Sequence, residues 1–348
     1  MSEQVFIDMR SDTLTKPSPE MRRCIAEAEV GDDVYGEDPT VNKLENMAAE
    51  LLGKEAGLLL SSGTQGNLVA LLTHCQRGQE IILEREAHIY YYEVGNLAAL
   101  CGLQTATLSG LPGAKGALLP DDIQAAIRVN DIHFPTTGLL CLENTHNRGG
   151  GAVTSLEQTA AMCAVAKENG LPIHLDGARV FNAAVALKTS VSEVVKNIDS
   201  IQLCLSKGLG APIGSVLVGE KSFIERARKW RKMIGGGMRQ AGLIAAAGIF
   251  ALENNIYRLN EDHQNAAQIA SVIEKIPGLK LIKPDIPTNI VIFDTQESGR
   301  NAEQWLAILK ENGIIGGSMG RYLVRLTTHL DLSHQAIDRV IKVFQEIA

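Results

Sequence analysis

The sequence has no pair of cysteines at metal-binding or redox spacing. Its six cysteines, Cys24, Cys75, Cys101, Cys141, Cys163 and Cys204, are scattered, and no C-x-x-C occurs. Most sit among apolar neighbours, which reads as buried thiols and not as disulfides or zinc ligands. No metal site is expected. There is no apolar signal core near residue 1 and no run long enough to span a bilayer, so a reducing, cytoplasmic setting is expected. A basic excess is also missing. Lys and Arg number 33 against 40 Asp and Glu, a net charge of -7, which argues against nucleic acid or an anionic membrane as main partner. Neither a Walker loop nor a G-x-G-x-x-G fingerprint is present, and an NAD-linked oxidoreductase loses its usual signature. No low-complexity linker and no internal repeat interrupts the 348 residues.

Three short stretches carry chemistry instead. In Ser200-Ile201-Gln202-Leu203-Cys204-Leu205-Ser206-Lys207-Gly208-Leu209-Gly210, an apolar run ends on one lysine followed by glycines. A poorly hydrated amine there is easier to deprotonate, and a neutral amine can attack an aldehyde to form a Schiff base. Upstream, Leu171-Pro172-Ile173-His174-Leu175-Asp176-Gly177 is a matching run that ends on one carboxylate. A lysine and an aspartate at neighbouring strand ends suit pyridoxal phosphate: the lysine holds the aldehyde, and the aspartate keeps the pyridine nitrogen protonated. Taken singly, the lysine reads equally as a solvated strand end and the Asp-Gly pair as a turn. The third stretch, 57–67, holds Ser61-Ser62-Gly63-Thr64 between an apolar strand and a helix. Its free N–H groups at a helix N-terminus favour a phosphate, although Ser and Thr are also the ordinary capping residues.

Patterning predicts alternating elements. Helices are expected over 41–52, 191–197, 242–254, 260–276 and 302–311, and from Ser333 onward; another runs from a capping box at 154–157 to Asn169. Strands are expected over 58–60, 80–83, 139–142, 171–175, 201–205, 279–282, 290–293 and 322–326. The βαβ rhythm implies an α/β fold with a large, mostly parallel sheet covered on both faces, and ligands off the carboxyl ends of its strands. A large domain over 1–249 and a small α/β domain over 250–348 are expected.

The wording of several motifs goes further. Met9-Arg10-Ser11-Asp12-Thr13-Leu14-Thr15, Val30-Gly31-Asp32-Asp33-Val34-Tyr35-Gly36, Leu142-Glu143-Asn144-Thr145-His146-Asn147, His174-Leu175-Asp176-Gly177-Ala178-Arg179, Leu205-Ser206-Lys207-Gly208-Leu209-Gly210 and Trp230 through Gln240 resemble the low-specificity threonine aldolases. The resemblance covers nearly the whole chain and is weakest over 90–116. It implies the aspartate-aminotransferase-like fold (type I) of pyridoxal-phosphate enzymes, with a seven-stranded sheet. It also implies reversible cleavage of β-hydroxy-α-amino acids such as L-threonine and L-allo-threonine to glycine and an aldehyde. By the same resemblance Lys207, His88, His133 and Asp176 are the catalytic candidates. Ser62, Gly63, Thr64, His88, Asp176, Arg179, Ser206, Lys207 and Arg239 would hold the cofactor. Ser11, Arg179 and Arg325 would clamp the substrate carboxylate, with His88, His133 and Tyr35 also at the substrate. Arg239 and Tyr35 are expected to serve a neighbouring subunit, in a homodimer with shared sites or a homotetramer. Another lyase of this fold, of the β-eliminating tyrosine phenol-lyase or tryptophanase type, is the alternative reading.

Overall fold

The computed structural model describes residues 6–112 and 114–347. Its centre is a seven-stranded sheet in the order Ala56–Leu60, Ser215–Gly219, Ser200–Cys204, Ile173–Asp176, Thr137–Glu143, Glu80–Glu84 and Gln104–Leu108. Five neighbouring strands run parallel, and Ser215–Gly219 is antiparallel to both strands beside it. Every residue of Glu80–Glu84, Ser200–Cys204 and Ser215–Gly219 is buried. Continuous burial is what helices on both faces produce, and it explains why these strands read as apolar runs without alternation.

Local chemistry sets the boundaries. Ser155 caps the helix Leu156–Glu168, and its side chain and that of Gln158 bond each other's backbone N–H in a capping box. The box therefore sits one residue later than the sequence spacing places it, because Gln158 and not Glu157 occupies the third helical position. Asn169 ends that helix, and Gly170 follows at φ +66, a left-handed conformation that glycine adopts at little cost. Among the elements that patterning misses are Gln104–Leu108, Ser215–Gly219 and the helices Pro19–Ala26, Pro120–Ala126, Val180–Leu187 and Lys221–Met233. Gln104–Leu108 is a polar edge strand. Val180–Leu187 is apolar almost all round, so it offers no helical stripe to count.

A second, four-stranded antiparallel sheet takes the order Gly317–Ser318, Leu323–Thr327, Ile290–Asp294 and Lys280–Leu281. Helices Leu259–Ile273 and His334–Glu346 pack on each other, and the first of them lies on the strand Ile290–Asp294. Helix Gly242–Asn254 packs instead on Pro39–Leu51 and Pro19–Ala26 beside the large sheet. The N-terminal segment does not stay with the large sheet throughout. Ile7–Asp8 pairs in parallel with Ile314–Ile315, and the fully buried Met9 joins the core of the smaller unit. Alternate residues Ile7 and Met9 turn toward that core, which is what a strand's period of two allows.

Register aligns the site. Glu143 lies opposite Asp176, and Asp176 opposite Gln202. The carboxyl ends of three parallel strands thus share one rim, with Lys207 just beyond.

Candidate active site

Lys207 stands in the turn after Ser200–Cys204, half-buried beside Ser206. The turn needs its glycines. A Cβ on Gly210, at φ +79, would lie 2.4 Å from a methyl of Leu330, so no side chain fits there. Lys207 opens into a cleft of about 300 Å³ that it shares with Ser11, His88, Asn147, Arg179 and Arg325.

Helix Gly63–His74 begins on the same rim. Ser62 caps it by accepting the N–H of Gln65 at 3.2 Å; helix geometry leaves the N–H groups of Gly63 and Thr64 without an intrahelical acceptor, a setting that suits an anion. A Cβ on Gly63 would sit 2.7 Å from the Cys204 sulfur, and one on Gly66 would sit 2.4 Å from Gln202. Only glycines let the helix start press onto the strand that leads to Lys207.

Asp176 is buried at the end of its strand. Its Oδ1 accepts the N–H of Ala178 at 3.1 Å, and its Oδ2 accepts the side-chain amide of Asn67 at 2.9 Å. His88 starts the short helix His88–Tyr91 and gives its N–H to Glu143 Oε2 at 2.6 Å. The imidazole Nδ1 is 3.0 Å from Glu93 Oε1 and 3.9 Å from Asp176 Oδ2. Burial works against a charged His88, but the hydrogen bond to Glu93 and the charges of Asp176 and Glu93 outweigh it and raise its pKa above the ordinary value. Burial, with Asp176 close by, likewise raises Glu93. His88, Glu93 and Asp176 thus cluster, each offering an atom within 4.8 Å of the others.

The two arginines are held from behind. Arg179 donates Nε and Nη2 to Asp12 at 2.7 Å each, and both partners are buried. Burial alone would raise the Asp12 pKa; the Arg179 charge and its hydrogen bonds hold it far below the carboxylate range instead. Asn289 adds a hydrogen bond to Asp12 Oδ2 at 3.1 Å. That leaves the Nη1 side of Arg179 for a ligand. Arg325 donates Nη1 to Asn147 at 3.0 Å and Nη2 to the Arg10 carbonyl at 2.9 Å, while its buried Nε has no partner. Burial and the charge of Arg179 both lower the Arg325 pKa. Two guanidiniums that repel each other thus line one cleft, a chemistry that suits an anion such as a carboxylate. Ser11 sits beside them, its Oγ accepting from Thr13 N–H at 3.2 Å.

The structure therefore gathers Ser11, His88, Arg179, Lys207 and Arg325 on one cleft, with Asp176 and Ser62–Thr64 on the same rim. It does not gather three others. The His133 side chain is 80% exposed and its Nδ1 bonds Asp131 at 2.6 Å. Within one chain it stands apart from the cleft, because the loop before the strand Thr137–Glu143 leaves it in solvent. Arg239 pairs with Asp32 at 3.0 Å and is largely exposed; Tyr35 is 75% exposed. A larger cavity, of about 590 Å³, lies elsewhere, lined by Asp33, Glu45, Arg228 and Arg231 among others. None of its lining residues is a predicted cofactor or substrate contact.

Sequence reasoning misses Asp12, Asn67, Glu93, Asn147 and Asn289 as individual residues. Asp12 and Asn147 lie inside quoted motifs, so position alone pointed to them. Glu93 sits in a stretch without motif character, and Asn67 reads as an ordinary helix residue. Pyridoxal phosphate fits the chemistry present: a lysine on a glycine turn, a buried carboxylate, a helix N-terminus and a donor-rich cradle.

Comparison with known proteins gives the family and the fold. The family described as "Beta-eliminating lyase" matches residues 8–296. The chain is 46% identical over 335 residues to the low specificity L-threonine aldolase of Escherichia coli K12, covering 96% of this chain and 97% of that protein. It is 41% identical to the low-specificity L-threonine aldolase 1 of Arabidopsis thaliana, covering 98% and 96%. Among solved structures, a threonine aldolase from Leishmania major superposes with a TM-score of 0.81 at 21% identity, covering 98% of this chain and 99% of that one. A serine palmitoyltransferase from Sphingomonas wittichii superposes at 0.76 with 17% identity, covering 98% and 86%. At such identities the superpositions speak for the fold.

Proposed function

The chain belongs to the β-eliminating lyase family, and from that premise we propose that it is a pyridoxal-phosphate-dependent aldolase. It splits L-threonine, L-allo-threonine and related β-hydroxy-α-amino acids into glycine and an aldehyde. The observation that carries this reading is the cleft that Lys207 shares with Ser11, Arg179 and Arg325, where Arg179 keeps the Nη1 edge outside its pair with Asp12. That is a site for an α-carboxylate held beside an amine-bearing carbon.

Pyridoxal phosphate, when bound, supplies the electron sink for the pair left on Cα when the Cα–Cβ bond breaks. Lys207 would hold its aldehyde, Asp176 its ring nitrogen, and Ser62, Gly63, Thr64 and Ser206 its phosphate. Arg179, Arg325 and Ser11 hold the substrate carboxylate, which fixes the rotation about Cα and chooses the bond to be broken. His88 takes the β-hydroxyl proton. The C–O bond becomes the aldehyde carbonyl as Cα–Cβ cleaves, and a proton returned to Cα completes glycine. The carboxylate end is gripped by buried groups, whereas the far side of the β-carbon meets only His88 and loops. The site is accordingly strict at Cα and lax at Cβ, L-selective with both diastereomers accepted.

Among the described residues no helix is long and apolar enough to cross a membrane, and a cytoplasmic enzyme is the reading that fits. Exposed Tyr35 and Arg239 support a homo-oligomer in which each serves a neighbour's site, a shared-site dimer or a tetramer of two such dimers, and there His133 too can meet a cleft that its own chain does not give it. The test is product analysis with purified holoenzyme and the four threonine stereoisomers. Glycine and acetaldehyde from both L-isomers are expected. Ammonia and a 2-oxo acid would move the chain to the β-eliminating alternative, and cleavage of D-isomers would overturn the account of the carboxylate cradle.

A further inference from the structure

Behind the cleft a line of hydrogen bonds has only one possible direction. Asn67 places its Nδ2 at 2.7 Å from Glu93 Oε1 and at 2.9 Å from Asp176 Oδ2. Only the amide NH₂ donates, so it faces the two carboxylates and Oδ1 faces His174 Nε2 at 3.1 Å. His174 is buried, and burial lowers its pKa to about 4. It is therefore a neutral ring with its proton on Nε2. Its Nδ1 must accept, and Ser200 Oγ at 2.9 Å is the donor. With that hydroxyl proton committed, Ser200 accepts from His74 Nε2 at 2.7 Å. Burial lowers His74 as well, to about 3. The sequence His74, Ser200, His174, Asn67 thus drives two N–H donors onto Glu93 and Asp176.

At the other end, Glu93 Oε2 accepts from Asn96 at 3.1 Å, and Oε1 accepts from Asn67. Both oxygens already face amide donors. The contact of His88 Nδ1 to Oε1 at 3.0 Å is then met by a proton on Nδ1, which leaves the lone pair of His88 on Nε2.

We propose that Glu93 is a positioning residue that fixes the His88 tautomer, so that Nε2 is the basic nitrogen offered to the substrate hydroxyl, and that the buried chain from His74 to Asn67 sets Glu93 for this task. The inference deepens the aldolase reading and rests on His88 as the proton acceptor. It follows the general pattern of a base oriented by a buried carboxylate.

The experiment uses the full-length holoenzyme labelled with ¹⁵N-histidine. The His88 ring signals are identified by their loss in His88→Asn. Recorded above the raised His88 pKa, where the ring is neutral, the wild type should show hydrogen on Nδ1 and a bare Nε2. Glu93→Gln keeps an oxygen that accepts from Asn67 and His88 and should keep this pattern, whereas Glu93→Leu leaves no acceptor there and hydrogen should move to Nε2. In steady-state cleavage of L-threonine, Glu93→Leu should lower kcat by about 10²-fold, the scale of a lost general base, with KM changed about threefold or less, and Glu93→Gln should restore most of that loss. Placed on His88→Asn, Glu93→Leu should have no further effect. Hydrogen on Nε2 of the neutral wild-type ring overturns the proposal, and does so even if Glu93→Leu fails to fold. So does an unchanged tautomer in Glu93→Leu, or a full additional loss on the His88→Asn background. Absence of glycine release by the wild type would instead strike the aldolase reading, and the tautomer measurement would still decide the role of Glu93.

Discussion

Replacing Asp12 by Asn tests whether the carboxylate cradle is held by charge or by shape. Asp12 accepts Nε and Nη2 of Arg179 at 2.7 Å each and a third hydrogen bond from Asn289 at 3.1 Å. Asparagine keeps the outline and one accepting oxygen but turns an NH₂ toward the second guanidinium donor. One charge-assisted hydrogen bond, about 1.5–3 kcal/mol, is lost. The Arg179 charge is left buried without its counter-charge, and breaking a buried pair from one side costs about 3–5 kcal/mol in all. The assay is urea unfolding at fixed protomer concentration, since subunit association shifts apparent stability. A loss of about 3 kcal/mol or more at pH 7 is expected, with a raised KM for L-threonine because Arg179 is no longer aimed. The pH dependence has a fixed sign. The folded pKa of Asp12 is depressed, so its contribution is present above the ordinary carboxylate range and is lost as pH falls through the folded value. The gap between wild type and variant should therefore stay constant from pH 5 to 8 and close only in strong acid. A loss below about 1 kcal/mol at pH 7 would mean that packing alone holds Arg179, and the reasoning from the buried pair would fail.

Borohydride reduction of the holoenzyme followed by peptide mapping should find the pyridoxyl group on Lys207; label on any other lysine would remove it from its role. Asp176→Asn should fold and bind cofactor yet turn over about 10²-fold more slowly, the scale of a lost electrostatic partner, and near-normal turnover would refute that assignment. Inactive Lys207→Ala and Arg239→Ala chains, once mixed and shown to form hybrids, should recover part of the activity through one intact shared site. His74→Phe should make stability depend less on pH. The depressed folded pKa values of His74 and His174 mean that the unfolded chain takes up protons first as pH falls below about 6.5, destabilising the fold about tenfold in its equilibrium constant per pH unit and per histidine. An unchanged slope between pH 6 and 4 would contradict this.

The sheet was legible because its buried strands are short apolar runs closed by glycine or a charged residue, as at Leu171–Asp176 and Ser200–Lys207. Lys207 and Asp176 could be singled out since each is the one charged group on such a run. The edge strand Gln104–Leu108 and the helix Val180–Leu187 escaped because neither has a face that contrasts with its opposite. The aldolase resemblance placed the chain in its family, and the relatives bear that out. What motifs cannot convey is partnership. That Arg179 leans on Asp12 and His88 on Glu93 depends on which loops the sheet brings together. Likewise, nothing in Asp131-Ile132-His133-Phe134 states that its histidine points to solvent in the single chain.

The pairing of Ile7–Asp8 with Ile314–Ile315 also dictates an order of assembly. The two strands are separated by about 300 residues, so closing that loop belongs to the slow, non-local part of folding. During synthesis the large sheet can be complete while the first strand still lacks its partner. Asp12, four residues beyond that strand, waits for Arg179 and then for Asn289, so the cradle closes only after the small sheet has emerged from the ribosome. Catalytic competence is then a late event. In refolding, recovered activity should lag behind recovered helix and sheet signal, and an arrested chain that ends before residue 314 should be well structured yet inert.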